Sequence, residues 1–179
     1  MTLERLVVIH CSPTLSALKC SSLVCLKNAG PFDTGALDSL EERGVHHLFL
    51  TNRIGCPLLF LYRPKMLEKI ISGEEEGKIL RMLEYDTSSL SSSLERLSIR
   101  LMEDSFPHEI GIFLGYPVED VKSFIINRGE NYLLSGVWKV YHDKEKAETT
   151  FRLYSECTRC LVSSHENGTP IEELCAVNA

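Results

Sequence analysis

The sequence predicts an α+β fold, with a mixed or mostly antiparallel sheet of about four to five strands and about six to seven helices. Three observations predict it. Leu90, Leu94, Leu97 and Leu101 keep a 4-3-4 apolar stripe, the spacing of one buried helix face. Two apolar runs, Val45 to Thr51 and Pro57 to Tyr62, flank Asn52-Arg53-Ile54-Gly55 and read as a β-hairpin. Strands and helices are otherwise interspersed without regular βαβ alternation, which favours this class over a doubly wound sheet.

Taken in chain order, Leu3, Leu6, Val7 and His10 repeat at helical spacing behind Thr2, a residue suited to an N-cap, and Pro13 is expected to close that helix. Lys19 to Lys27 reads as a strand, and Asn28-Ala29-Gly30-Pro31 as the turn that breaks it. Asp33 or Thr34 then caps a helix that carries Leu37 and Leu40 and ends at Gly44. After the hairpin, Pro64 opens a helix with Leu67, Ile70 and Ile71 on one face, stopped by Gly73. Glu74 to Glu103 holds two helices separated near Asp86-Thr87-Ser88. Ile110 to Leu114 is expected as a buried strand, Gly115-Tyr116-Pro117 as a tight turn, and Val118, Val121 and Ile125 as a helix face. Val137 to Tyr141 reads as another strand, and Asp143 caps a long helix with Ala147, Phe151, Tyr154, Thr158 and Leu161 in line.

The 179 residues, 44% apolar and 25% charged, are expected to form one domain over residues 1–179, with a flexible tail from about residue 165. A chain of this size buries about 70% of its unfolded surface and needs no metal or disulfide to hold a core. With 25 acidic against 19 basic residues, the net charge of -6 argues against nucleic acid, whose phosphates are held by clustered cations. The opening Met-Thr-Leu-Glu-Arg has none of the marks of a signal peptide, and no apolar run approaches a bilayer span. Seven scattered Cys fit reduced thiols, so the expected place is the cytoplasm, away from membranes.

Two stretches carry a family likeness. Cys11-Ser12-Pro13-Thr14-Leu15 with Lys19, and Phe106-Pro107-His108-Glu109-Ile110-Gly111-Ile112-Phe113-Leu114-Gly115-Tyr116-Pro117, resemble a bacterial family known as domain of unknown function (DUF) 3793. The likeness continues through Gly136-Val137-Trp138-Lys139-Val140-Tyr141 to Tyr154-Ser155-Glu156-Cys157, nearly the whole chain. It implies a small bacterial protein and assigns no activity, cofactor or residue role. Thiols at Cys20, Cys25, Cys56, Cys160 and Cys175 are additions to the pattern. The matching residues Cys11, Pro13, Thr14, Lys19, His108, Glu109, Gly115, Tyr116, Trp138, Lys139 and Cys157 are where a common site is expected, with Thr14, Glu109, Gly115, Tyr116, Trp138 and Lys139 as its ligand-binding part.

The residues themselves offer three chemistries. The first expectation is a module that binds a small molecule or a protein partner, built from the Cys11-to-Lys19 and His108-to-Tyr116 segments. Trp138, Tyr141, Tyr116 and Tyr132 suit a flat ligand, since aromatic walls with few polar groups are what such sites prefer. The second is a thiol-dependent enzyme with Cys11 as nucleophile, His108 as base and Lys19 stabilising negative charge. The third is a metal or redox site at Cys157 and Cys160, which share a helical face, with His165 and Cys175 following irregularly. Glu119 and Asp120 in the first turn after Pro117 would repel an anion there, and no P-loop or dinucleotide fingerprint occurs, so the cofactor stays unassigned.

Overall fold

The computed structural model describes residues 1–27 and 34–177. In chain order these are α1 (Leu3–Leu15), β1 (Ser21–Cys25), α2 (Gly35–Glu41), β2 (His46–Thr51), β3 (Pro57–Tyr62), α3 (Pro64–Ile71) and α4 (Glu74–Met82). They continue with α5 (Leu90–Arg100), α6 (Ile110–Phe113), α7 (Val118–Ile126), β4 (Leu134–Ser135), β5 (Lys139–Val140), α8 (Lys144–Glu166) and α9 (Ile171–Leu174). The expected turn at Asn28 to Pro31 and the cap at Asp33 lie outside the described residues. Thr34 precedes α2 but makes no side-chain cap hydrogen bond.

The α+β class holds, with fewer strands in one sheet than expected. Three antiparallel strands in the order β1-β3-β2 form the main sheet, and β4 and β5 form a separate two-stranded ribbon. Among the described residues there are nine helices rather than six or seven.

The central strand explains the layering. Leu58, Leu59, Phe60 and Leu61 are all buried, as a strand covered on both faces must be. Because side chains alternate along a strand, Leu59 and Leu61 enter a core with α1, α2 and α9. Leu58 and Phe60 enter a second core, built with Leu67 of α3, Leu94 and Leu97 of α5, and Ile110 and Phe113 of α6. The sheet is thus the middle layer between two sets of helices, and α8 lies along α1.

Helix starts follow the expected chemistry. Thr2 Oγ1 accepts the Arg5 amide, Ser89 Oγ accepts that of Ser92, and Asp143 Oδ1 accepts that of Lys146. Pro64 sits in the first turn of α3, where its missing N–H costs nothing.

Three local expectations are corrected. Pro13 does not close α1; the helix runs two residues beyond it. The Pro13 carbonyl takes the Leu18 and Lys19 amides at 2.8 and 3.0 Å. The Arg63 guanidinium caps the end, donating to the Thr14 and Leu15 carbonyls at 2.7 and 2.6 Å. Ile110 to Leu114 is not a strand: residues 110–113 form α6, because a short apolar run fits either geometry and packing decides. A Cβ on Gly111 would stand 2.8 Å from Val121 Cγ2, so the glycine is what lets α6 press on α7. The expected strand Val137 to Tyr141 pairs only at Lys139 and Val140.

The stretch after residue 165 completes α8 and adds α9, whose Ile171 is buried with the following Cys175. No helix of the described residues is long and apolar enough to cross a membrane.

Candidate functional site

The turn Leu114-Gly115-Tyr116-Pro117 joins α6 to α7, and the β4–β5 ribbon folds back over it. Gly115 takes φ +71°, and a Cβ there would meet Cys20 Sγ at 2.9 Å, so this reversal needs glycine. Between α6, α7 and the ribbon lies a cavity of about 230 Å³, walled by Phe106, His108, Tyr116, Phe124, Trp138 and Lys139.

Its walls are held from behind. Tyr116 stacks on Trp138 with ring centres 5.2 Å apart, and Phe151 of α8 meets Trp138 edge-on at 4.5 Å. His108 packs against Phe124 at 5.1 Å and Phe106 at 5.7 Å. Asp120, buried in the first turn of α7, accepts Trp138 Nε1 at 2.8 Å on Oδ2. Its Oδ1 accepts the Tyr141 and His142 amides at 2.8 and 2.9 Å. One carboxylate therefore ties the indole and the ribbon's exit strand to α7. Lys139 Nζ donates to the Gly129 carbonyl at 2.6 Å and lies 4.6 Å from the Tyr132 ring centre, keeping further N–H groups for another acceptor.

Lys19 reaches the back of the same aromatic group, its Nζ 5.2 Å from the Tyr116 ring centre. It also lines a groove of about 700 Å³ between α1 and α8, with His10, Tyr154 and Arg159. No carboxylate lies within ion-pair reach of Lys19 among the described residues, and burial lowers its ammonium below the usual lysine range. His10, expected on the buried face of α1, is exposed at this groove.

Other expected site residues fall elsewhere. Cys11 is 0% exposed in the core under α1. Burial pushes its thiol up to about 12, and the Lys19 charge and Ser22 hydroxyl offset only part of that. No hydrogen bond joins Cys11 to His108, which is exposed on the cavity wall. Thr14 Oγ1 is buried against Ser22 Oγ at 2.8 Å. Glu109 is buried, and its Oε1 accepts Tyr85 Oη at 3.0 Å and Arg100 Nε at 2.8 Å. That pair fixes α5 to the start of α6 and faces no cavity residue. Cys157 Sγ meets Ser16 Oγ at 3.2 Å, while Cys160 is exposed. Among the described residues no group of three or more His, Cys, Asp or Glu side chains is arranged to hold a metal ion.

The structure thus gathers His108, Tyr116, Trp138 and Lys139 around one cavity with Lys19 behind it, and leaves Cys11, Thr14, Glu109, Cys157 and Cys160 outside. Sequence reasoning missed Phe106, Phe124 and Asp120 as parts of this site. Phe106 heads the twelve-residue stretch that carries the family likeness, a usable signal. Asp120 reads as an ordinary first-turn acid, and nothing in its neighbours announces the indole it holds.

Fold and site together define a small α+β protein whose aromatic cavity is built from a helix–turn–helix and a short ribbon. The chain belongs to the family of proteins of unknown function DUF3793, whose family model matches residues 7–175. No curated protein and no solved structure matches the chain significantly.

Proposed function

We propose that the chain is a binding module for a small, flat organic ligand that enters the cavity between α6, α7 and the β4–β5 ribbon. The observation that carries this is the meeting there of two of the segments that share the family likeness, residues 106–117 and 136–141, as aromatic walls around about 230 Å³. Such a volume suits a one- or two-ring compound, and aromatic walls with a single cation are the usual lining of a small-molecule site. Asp120 has its oxygens occupied by three donors, so the polar groups left to meet the ligand are the Lys139 ammonium and the His108 imidazole. The preferred ligand is accordingly an aromatic ring with a carboxylate or another acceptor.

Cys11 is not part of this reading. A thiol held near 12 carries almost no thiolate at neutral pH, and thiolate is the nucleophile. Trp138 is the only tryptophan, so its emission reports the cavity without labelling. Titration with benzoate is expected to change that emission saturably, more strongly than titration with toluene. Phe124→Ala is expected to weaken the apparent affinity at least tenfold, and Lys139→Met to remove the preference for benzoate. Emission that is indifferent to both compounds, or equal responses in the wild type and Phe124→Ala, would sink the proposal.

A further inference from the structure

The sequence draws attention to Cys157 and Cys160 as a thiol pair; the fold makes a different one. Cys25 is the last residue of β1, an edge strand, and Cys56 stands immediately before β3, the central strand. Cys25 lies opposite Leu58, so Cys56, two residues before Leu58, is its diagonal neighbour on the same sheet face. The two Sγ atoms are 2.7 Å apart.

The backbone on both sides is already fixed. The Leu26 amide donates to the Pro57 carbonyl at 2.8 Å, locking the strands next to the pair. The Cys56 amide donates to Asn52 Oδ1 at 2.9 Å, and its carbonyl accepts the Asn52 amide at 3.2 Å, which holds the hairpin end. Cys25 is exposed and Cys56 half-buried, whereas Cys11, Cys20 and Cys175 are sealed in the cores. Of the remaining thiols, Cys157 is turned to Ser16 rather than to Cys160.

We propose that Cys25 and Cys56 are a reversible thiol–disulfide clasp that ties the edge strand to the central strand, formed by exchange with a low-molecular-weight disulfide. The Cys25 thiolate attacks one sulfur of the incoming disulfide, forming a mixed disulfide and expelling one thiolate. Cys56 then gives up its proton to solvent and attacks the Cys25 sulfur, expelling the second thiolate. Two protein thiols are oxidised by two electrons, one external disulfide is reduced to two thiols, and the released protons end on those thiols. The order of attack follows the local chemistry. The hydrogen bond from Cys56, with help from the Lys27 backbone and charge, lowers the Cys25 thiol, while the same contact raises Cys56.

The test uses the full chain with excess glutathione disulfide, followed by denaturation, alkylation, digestion and mass spectrometry. The expected product is one chain lighter by two hydrogens, with a Cys25–Cys56 cross-linked peptide and five of the seven thiols still alkylated. Closing a loop between residues 31 apart is expected to raise Tm by about 10 °C, reversibly with dithiothreitol and not in Cys25→Ser. The proposal is overturned by glutathione retained on Cys25 without a cross-link, by a link at Cys157–Cys160 or between chains, or by seven alkylated thiols. A Cys25–Cys56 link that leaves Tm unchanged overturns the clasp as well.

Discussion

The C-terminal end of α1 and the cavity beside α7 are built from opposite materials. Around α1 the polar groups are sealed and matched: Arg63, 4% exposed, donates to the Thr14, Leu15 and Ala176 carbonyls, Ser21 Oγ to the Phe113 carbonyl, and Thr14 pairs with Ser22. Beside α7 the rings of Phe106, His108, Tyr116 and Trp138 stay partly open and pack on one another and on Phe124, with a single buried carboxylate holding the Trp138 indole. The lesson is that polar residues close together in this sequence serve the scaffold, because burial obliges each to find a partner. The partly open aromatic surface is what is left to meet something else.

That contrast can be broken from the scaffold side first. Arg63→Met leaves two helix-terminal carbonyls and the Ala176 carbonyl without their charged donor, and is expected to cost about 4 kcal/mol in chemical denaturation, since each such bond is worth about 1.5–3. A loss below about 1 kcal/mol would mean that solvent replaces the guanidinium there. Glu109→Ala removes the acceptor of Tyr85 Oη and of Arg100 Nε, while Arg100 keeps its pair with Glu103, and is expected to cost about 2 kcal/mol. Neither change should alter the affinity of the folded cavity for benzoate.

On the cavity side the effects are smaller in stability and larger in binding. Asp120→Asn keeps one acceptor but turns an amide towards donors, and is expected to cost about 1–2 kcal/mol while shifting Trp138 emission. A variant that is destabilised but keeps the native emission would separate the carboxylate from the indole.

The smallest expected effect at neutral pH belongs to Cys11. Cys11→Ala should cost about 1 kcal/mol at pH 7, as a small core truncation. The wild type should lose stability as pH rises above about 9. The unfolded thiol ionises near 9 while the folded one is held near 12, so the unfolded chain binds fewer protons in that window. The half-buried Tyr116 phenol, pushed up to about 12 by desolvation, adds to the same loss above 10. Denaturation across pH 7–11 should therefore show a shallower decline for Cys11→Ala than for the wild type; parallel curves would show that Cys11 ionises freely in the folded chain.

Much of the scaffold is legible because its signals are local. Thr2, Pro64 and Asp143 mark helix starts through their own hydrogen bonds or ring geometry, and the apolar run Pro57 to Tyr62 announces one strand of a hairpin. Pro13 misleads because the group that caps α1, Arg63, stands 48 residues from Leu15. Ile110 to Leu114 misleads because a run of five such residues fits helix or strand, and the contact of Gly111 with Val121 settles the choice only in three dimensions. Within the site, His108, Tyr116, Trp138 and Lys139 are readable from the family likeness. Phe124 and Asp120 are not, since each acquires its part from a neighbour on the ribbon or the preceding turn. The Cys25–Cys56 pair depends on strand register, which no spacing of 31 residues reveals.

The central claim, that the cavity beside α7 takes a flat ligand, is tested most directly by the single indole N–H resonance of Trp138 in a ¹⁵N-labelled chain titrated with benzoate. The account predicts one peak that moves saturably, together with the amides of Phe124 and Lys139, while those of Cys11 and Thr14 stay in place. An indole peak that does not move, or a shift spread evenly over both ends of the molecule, would contradict it.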